Sequence, residues 1–438
     1  MTENPDWAFE TRQIHAGQQP DPTTGARALP IYQTTSYVFK DSEHAANLFA
    51  LKEFGNIYTR IMNPTQDAVE QRLASLEGGV GALLVSSGQS ATTLGLLNIA
   101  ETGDHIVASA ALYGGTFNLL RYTFAKFGID VTFVEDTADP GAWRSAIREN
   151  TKVLFGESIA NPRADVLDIE AVATVAHEHG VPLVVDNTIA TPYVIRPLEW
   201  GADVVLHSAT KYLGGHGTSI AGVIVDGGSF DFAADPAKFP NFNQPDESYH
   251  GLRFGPDLGV SSAFGANLSY ILKARVQLLR DIGAAISPFN AFLLSQGVET
   301  LSLRMDRHLA NAREVVAFLS AHDQVESVRW ASAEGDDSKG RADKYAPKGA
   351  GAVIGFEIVG GKSAGQRFVE ALTLHSHVAN IGDVRSLAIH PATTTHSQGG
   401  DEDRLAAGVT PGLVRLAVGL EHIDDILADL RHGFAAAG

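Results

Sequence analysis

From Gly81 onward, short apolar runs suited to strands alternate with stretches of helical period: 81–86, then 90–100, 104–108, 116–127, 130–135 and 152–157. That alternation constrains the fold more than any other feature of the chain. The clearest unit has a helical period over 168–179, closed by Gly180, and then Val181-Pro-Leu-Val-Val-Asp186, an apolar run ending in a carboxylate. A run that is apolar on both faces is a strand covered by helices on both sides, so the pattern predicts repeated βαβ units and a mostly parallel sheet. A second such run, 202–208, leads into Ala209-Thr-Lys211. Ligands of open α/β sheets collect beyond the carboxyl ends of the strands, which places Asp186 and Lys211 at one crevice.

The segments on either side have different grammar. Residues 1–62 mix extended stretches with a short helical pattern over 41–54 and lack the apolar surface for a core of their own, so they read as an arm. Asn63-Pro64 opens a helix with an N-cap and a first-turn proline, and Gly78 closes it. Residues 226–256 have no clear period and read as an ordered insertion or a surface loop. Helical patterns follow over 262–283 and 287–320, then a strand over 325–330 and a polar stretch, 331–349, expected as a flexible loop. The remainder suits a smaller α+β unit. The expected division is an arm over 1–62, a large α/β domain over 63–285 with a mostly parallel sheet between helices, and a small α+β domain over 286–438.

Charge and composition exclude several classes. With 33 Lys and Arg against 51 Asp and Glu, the net charge of −18 repels phosphate backbones and anionic lipid, so neither nucleic acid nor a membrane is the expected partner. The absence of cysteine removes thiolate metal sites and thiol nucleophiles. No run approaches membrane-spanning length and the first residues carry no targeting pattern, so the expected location is cytoplasmic.

The chemistry therefore rests on other side chains. A lone lysine is ordinarily a solvated surface charge, but Lys211 follows an apolar strand and precedes Tyr-Leu-Gly-Gly, which favours desolvation. A desolvated amine loses its proton more readily and can form a Schiff base with a carbonyl, the way pyridoxal phosphate is held. That cofactor also needs a carboxylate beside its ring nitrogen, which Asp186 can supply. Its phosphate needs a cradle of backbone N–H groups at a helix start, and Ser86-Ser-Gly-Gln-Ser90 has that form, with Ser208 and Thr210 as further donors.

Taken together, Tyr58-Thr-Arg60 with Asn63-Pro-Thr65, Ser87-Gly-Gln89, Leu112-Tyr-Gly-Gly-Thr116, Glu157 with Asn161-Pro162, Val185-Asp-Asn-Thr188, Ser208-Ala-Thr-Lys211 and Arg415 in Val414-Arg-Leu-Ala-Val-Gly419 resemble the Cys/Met-metabolism class of fold-type I pyridoxal-phosphate enzymes along essentially the whole chain. The resemblance implies that Lys211 holds the cofactor and moves protons, and that Asp186 pairs with its ring nitrogen. Ser87, Gly88, Gln89, Ser208 and Thr210 would contact its phosphate, helped by Tyr58 and Arg60 from a neighbouring subunit. Tyr113 would stack on the ring and act catalytically by assisting proton transfer or the leaving group, and Thr188 would lie against the other face. Asn161 and Arg415 would position cofactor oxygen and substrate carboxylate, with Ser386 as a further carboxylate contact. It also implies a homo-oligomer, a tetramer of active dimers.

Within that family, segment 381–398, residues 30–36 and the insertion after Asp226 resemble the O-acetylhomoserine sulfhydrylase branch. Gly215-His-Gly-Thr218 departs from the Gly-His-Ser-Asp usual in lyases and cystathionine-forming synthases, and Arg385 stands where γ-lyases tend to carry glutamate. The implied activity is γ-replacement, with an amino-acid ester and sulfide as small-molecule partners. A cystathionine γ-synthase, a γ-lyase or methionine γ-lyase, or an enzyme using the succinyl ester is the alternative. A nicotinamide dehydrogenase is disfavoured because neither Gly79-x-Gly81 nor Gly215-x-Gly217 continues into the required fingerprint. A metal site, sought at His177-x-His179, His375-x-His377 and His390 with His396, lacks carboxylates at matching spacing. A non-enzymatic binding role conflicts with the intact set of Lys211, Asp186, Tyr113 and Arg415.

Overall fold

The structure is a computed structural model that describes residues 6–262, 264–394 and 408–438. The alternating pattern folds into a seven-stranded sheet made of β1 (Gly81–Val85), β2 (His105–Ser109), β3 (Asp130–Val134), β4 (Thr151–Glu157), β5 (Leu183–Asp186), β6 (Val204–Ser208) and β7 (Gly222–Asp226). Their spatial order is β1-β7-β6-β5-β4-β2-β3, and β7 runs antiparallel to both of its neighbours while the pairs from β6 to β3 are parallel. Apolar clusters lie on both faces, which is why the central strands carry almost unbroken hydrophobic runs.

Local signals set several element ends. Asn63 accepts from Thr65 N and caps the Pro64–Glu77 helix, while Gly78 ends it in the left-handed region at φ 86°; such a cap stabilises a helix by about 1 kcal/mol. The helix predicted over 168–179 forms at Ile169–Glu178 under an Asp168 cap.

A second sheet has five strands, β8 (Val325–Arg329), β9 (Val353–Ile358), β10 (Ser376–His377), β11 (Leu387–Ile389) and β12 (Leu413–Ala417), in the order β10-β11-β12-β9-β8. The helices Gly361–Ala371 and Ile423–Ala437 pack beside it through Phe356, Phe368 and Phe434. Between the sheets, the Pro288–Glu299 helix and the start of Leu301–Ser320 share one apolar cluster with the large sheet through Ala291, Leu294, Val298, Leu301 and Met305. Among the described residues no helix is long and apolar enough to cross a membrane.

Several expectations change on folding. Residues 331–349 are not a featureless loop: Lys339–Tyr345 is helical, because buried Tyr345 packs edge-on against Trp200 and bonds to Asp168. The helix expected over 262–283 begins only at Ser269 and contains a π-helical turn over Ala274–Leu279. The insertion 226–256 is ordered by an aromatic cluster in which Phe232 stacks on Phe242 at 4.0 Å and packs edge-on with Phe239 at 5.2 Å.

β1 lies at a sheet edge, and an ion pair takes the place of a neighbouring strand there. Glu70 Oε1 accepts from Leu84 N at 2.8 Å, and its Oε2 meets Arg275 Nη2 at 2.5 Å, which also donates to Ala82 O at 3.1 Å. Both polar groups of the edge are thereby satisfied where water is largely excluded. Glu70→Ala would leave Arg275 without its counter-ion and Leu84 N without an acceptor, and is expected to cost about 3 kcal/mol. Glu70→Gln, which keeps the acceptor for Leu84 N, should cost less; urea unfolding midpoints compare the two.

Candidate active site

The crevice expected beyond β5 and β6 is built by backbone register. Glu157 at the end of β4 stands opposite Asp186 at the end of β5, and Asp186 stands opposite Leu206 on β6. Thr188 ties the two strand ends together: its hydroxyl donates to Asp186 Oδ1 at 2.5 Å and accepts from Ser208 N at 2.8 Å. Asp186 is half-buried, and desolvation pushes its carboxyl upward against the Thr188 bonds that favour the charged form. Behind it lies a fully buried polar group in which His207 Nε2 meets Glu77 Oε1 at 2.6 Å and Asn187 Nδ2 donates to the same oxygen at 3.0 Å.

Lys211 follows β6 with its backbone N donating to Ser208 O at 3.1 Å. Desolvation, and then the positive charge of Arg415, hold its amine below the ordinary 10.5. The Lys211 amine donates to Asn380 Oδ1. Arg415, on β12 of the small sheet, donates through Nη1 to Asn161 Oδ1 and through Nη2 to Asn380 O, each at 3.1 Å. Burial lowers Arg415 to about 10, and its Nε is buried without a partner. The segment bearing Asn380 packs on the lysine turn: Gly382 has φ +72°, and a Cβ there would lie 2.6 Å from Tyr212 N and 2.9 Å from Lys211 C. Only glycine permits that approach.

On the other side, Ser87 caps the Gly88–Leu97 helix by accepting from Ser90 N. Gly88 lies so close to Ser208 that a Cβ would stand 2.5 Å from the serine Cβ, which joins the helix start to the end of β6. Gln89 is exposed and donates to Gly115 O at 3.1 Å, drawing in the turn that carries Tyr113. Tyr113 is 52% exposed, its ring lying over Gly115. Glu157, 8% exposed, accepts from Tyr113 N at 2.6 Å and from Asn161 N at 3.2 Å. Burial, and then the negative charge of Asp186, push the Glu157 carboxyl well upward.

Two of the expected hydroxyls already have partners within the chain. Thr210 spends its proton on Ala221 O at 3.3 Å, and so has to rotate before it can donate to a phosphate. Ser386 is fully buried, donating to Glu421 Oε2 at 2.8 Å and accepting from Gly419 N at 2.9 Å, so its hydroxyl ties the start of β11 to the chain just after β12 instead of standing free for a carboxylate. Tyr58 and Arg60 lie on the arm, where Arg60 bonds to Arg280 O and sits 5.5 Å from the Tyr58 ring centre. Asn380 escaped the sequence reading because an asparagine before Ile-Gly-Asp has the look of an ordinary turn residue.

Four of the histidines weighed for metal have other occupations: His177 pairs with Asp203 at 2.8 Å, His179 with Val175 O at 2.8 Å, His375 with Asp429 at 2.8 Å, and His390 with Thr393 and Pro411 O. Among the described residues no group of three or more His, Asp or Glu is placed to hold a metal ion. His396 lies outside the described residues.

A sequence profile for "Cys/Met metabolism PLP-dependent enzyme" matches residues 10–435. The chain belongs to that family. It is 58% identical to the O-acetyl-L-homoserine sulfhydrylase of Leptospira meyeri over 96% of this chain and 95% of that one. It is 54% identical to the enzyme of the same name from Corynebacterium glutamicum over 98% and 97%. Among solved structures it is similar to a candidate O-acetylhomoserine (thiol)-lyase from Campylobacter jejuni that contains an N-pyridoxyl-lysine phosphate, with TM-score 0.93, 36% identity and coverage of 98% and 100%. The fold is accordingly fold-type I and the cofactor of this PLP-dependent family member is pyridoxal 5'-phosphate. The residues present fit it, because one crevice gathers an amine held below its ordinary value, a strand-end carboxylate, a capped helix start and an arginine with an unused buried N–H.

Only the neutral amine attacks a carbonyl, so cofactor uptake by the apo chain should rise with pH around a midpoint below 10.5. Arg415→Leu removes a cation that favours the neutral amine, so the midpoint should move upward and uptake at neutral pH should slow. Stopped-flow absorbance of the cofactor reads both, and an unchanged midpoint would show that the amine does not feel this charge.

Proposed function

We propose that the chain catalyses γ-replacement, converting O-acetyl-L-homoserine and sulfide to L-homocysteine and acetate. The observation that carries this reading is the 58% and 54% identity to two O-acetyl-L-homoserine sulfhydrylases along nearly their whole lengths. Pyridoxal phosphate, when bound, supplies the carbonyl that takes up the substrate amino group and the protonated ring that withdraws electrons from Cα.

Lys211 anchors the cofactor and afterwards carries the Cα proton on Nζ, a task for which its lowered affinity for protons suits it. Asp186 keeps the ring nitrogen protonated, with Thr188 holding its carboxylate in place. Ser87, Gly88, Gln89 and Ser208 would hold the phosphate, joined by Thr210 once its hydroxyl turns from Ala221 O. Arg415 and Asn161 hold the substrate carboxylate through charge-assisted bonds, which fixes the Cα–H bond relative to Lys211. Tyr113, exposed at the rim, faces the ring and the leaving group. In the net change the Cγ–O bond breaks, a Cγ–S bond forms, and acetate departs with one proton from the sulfide.

Product analysis of the cofactor-loaded protein with O-acetylhomoserine and sulfide, cysteine or no nucleophile tests the reading. Homocysteine formed mainly with sulfide is expected, and Lys211→Ala should abolish it. Dominant cystathionine, or 2-oxobutyrate whatever the nucleophile, would instead assign a synthase or lyase, and preference for the succinyl ester would change the substrate.

The working unit is proposed to be a homo-oligomer, a tetramer of active dimers, in which Tyr58 and Arg60 complete a neighbour's phosphate site. Support comes from the arm, where Val38 is 97% exposed and Phe39, Phe49 and Phe54 are also on the surface, apolar area that a second copy would cover. Arg60→Ala and Lys211→Ala chains, each inactive alone, should regain activity when co-expressed, since a mixed pair contains one intact site. No recovery in mixed oligomers would place Arg60 in its own chain's site.

A further inference from the structure

Glu157 contributes to the crevice without facing any group so far assigned to it. Its side chain ends between two loops that arise from different strands. One oxygen holds the backbone N–H of Tyr113, which follows β2, and the other holds that of Asn161, which follows β4. Asn161 in turn receives Arg415 from the small sheet. A carboxyl group brings two oxygens to this point, and each accepts from one loop, Oε1 from Tyr113 N and Oε2 from Asn161 N.

Placing an acid here is unfavourable. Glu157 is 8% exposed and its register partner on the next strand is another acid, Asp186. Burial of one carboxylate beside a second is costly unless hydrogen bonds offset it. A purely structural filler at the end of β4 would be served by an apolar residue like those along the rest of that strand.

From this geometry we infer that Glu157 is a positioning residue, which sets the Asn161–Arg415 grip on the substrate carboxylate relative to the Tyr113 ring. The inference rests on the proposed roles of Arg415 and Asn161, but not on the identity of the leaving group or of the sulfur donor. A variant lacking the second acceptor keeps the Tyr113 loop and releases the Asn161 loop, since the shorter contact, 2.6 Å against 3.2 Å, retains the remaining oxygen.

The test is a binding measurement on the holoenzyme with L-norvaline, an α-amino acid that has a carboxylate but no leaving group, followed by the absorbance of the bound cofactor. Glu157→Gln conserves volume and offers one acceptor oxygen. Its Kd for norvaline should rise about tenfold, the effect of loosening one charge-assisted contact, while the affinity for pyridoxal phosphate changes less than twofold. In an Asn161→Ala background the same substitution should have almost no further effect, because the two residues act as one unit. A full tenfold loss in that background, or an unchanged Kd with only a lower unfolding midpoint, would overturn the inference. Should Glu157→Gln fail to give folded holoenzyme, Glu157→Asp replaces it, being too short to span both loops. The same rise in Kd is then expected, and an unchanged value again overturns the inference. Norvaline takes no part in sulfide chemistry, so a failure of the sulfhydrylase reading leaves this result untouched.

Discussion

The parallel register of β4, β5 and β6 is the constraint on which the site depends. Because β4 pairs Glu157 with Asp186, and β5 pairs Asp186 with Leu206, the chemistry-bearing residues emerge at one sheet edge in a row. A slip of one residue would turn each strand's side chains to the opposite face and shift Glu157 and Asp186 along their neighbours, breaking the fit of Val184, Val185 and Val205 into the two apolar layers. The burial of those valines on both faces therefore enforces the position of the acids. Thr188 secures the arrangement at its open end, where strand pairing has stopped.

Charge is concentrated where the protein can least solvate it. Lys211 is disfavoured as a cation by burial and by Arg415, while Glu157 and Asp186 are disfavoured as anions by burial and, for Glu157, by the neighbouring acid. Each shift is unfavourable for an isolated chain and suits a pocket that receives an aldehyde, a protonated ring nitrogen and a substrate carboxylate. The small sheet contributes Arg415 and Asn380, and the latter meets both the lysine amine and the arginine. The residues proposed for substrate grip and for proton transfer are thereby joined across the two sheets.

Much of this was legible beforehand. The two-faced apolar strands gave the parallel sheet, the Asn63, Pro64 and Gly78 signals gave a helix with correct ends, and Lys211 and Asp186 stood out as charges ending apolar runs. What escaped was side-chain company. Ser386 and Thr210 carry hydroxyls in suggestive places, yet folding commits their protons to Glu421 and Ala221 O. The polar stretch 331–349 hid a helix because its apolar anchors are few, Tyr345 with Ala342 and Ala346, and the Trp200 that Tyr345 packs on is far away in sequence. The Glu70–Arg275 pair that finishes the edge of β1 likewise joins residues about two hundred positions apart.

The sequence alone thus determined the fold class and most of the order of elements, and it singled out the two groups proposed to carry the chemistry, because periodicity, caps and strand-end charges are local and are written in consecutive residues. Tertiary structure alone decided which polar side chains are free to act and which are already spent, and it alone brought Glu157, Asn161, Asn380 and Arg415 into one chain of contacts. The physical reason is that a hydrogen-bonding group's availability depends on partners that approach only when separate strands pair and separate sheets pack.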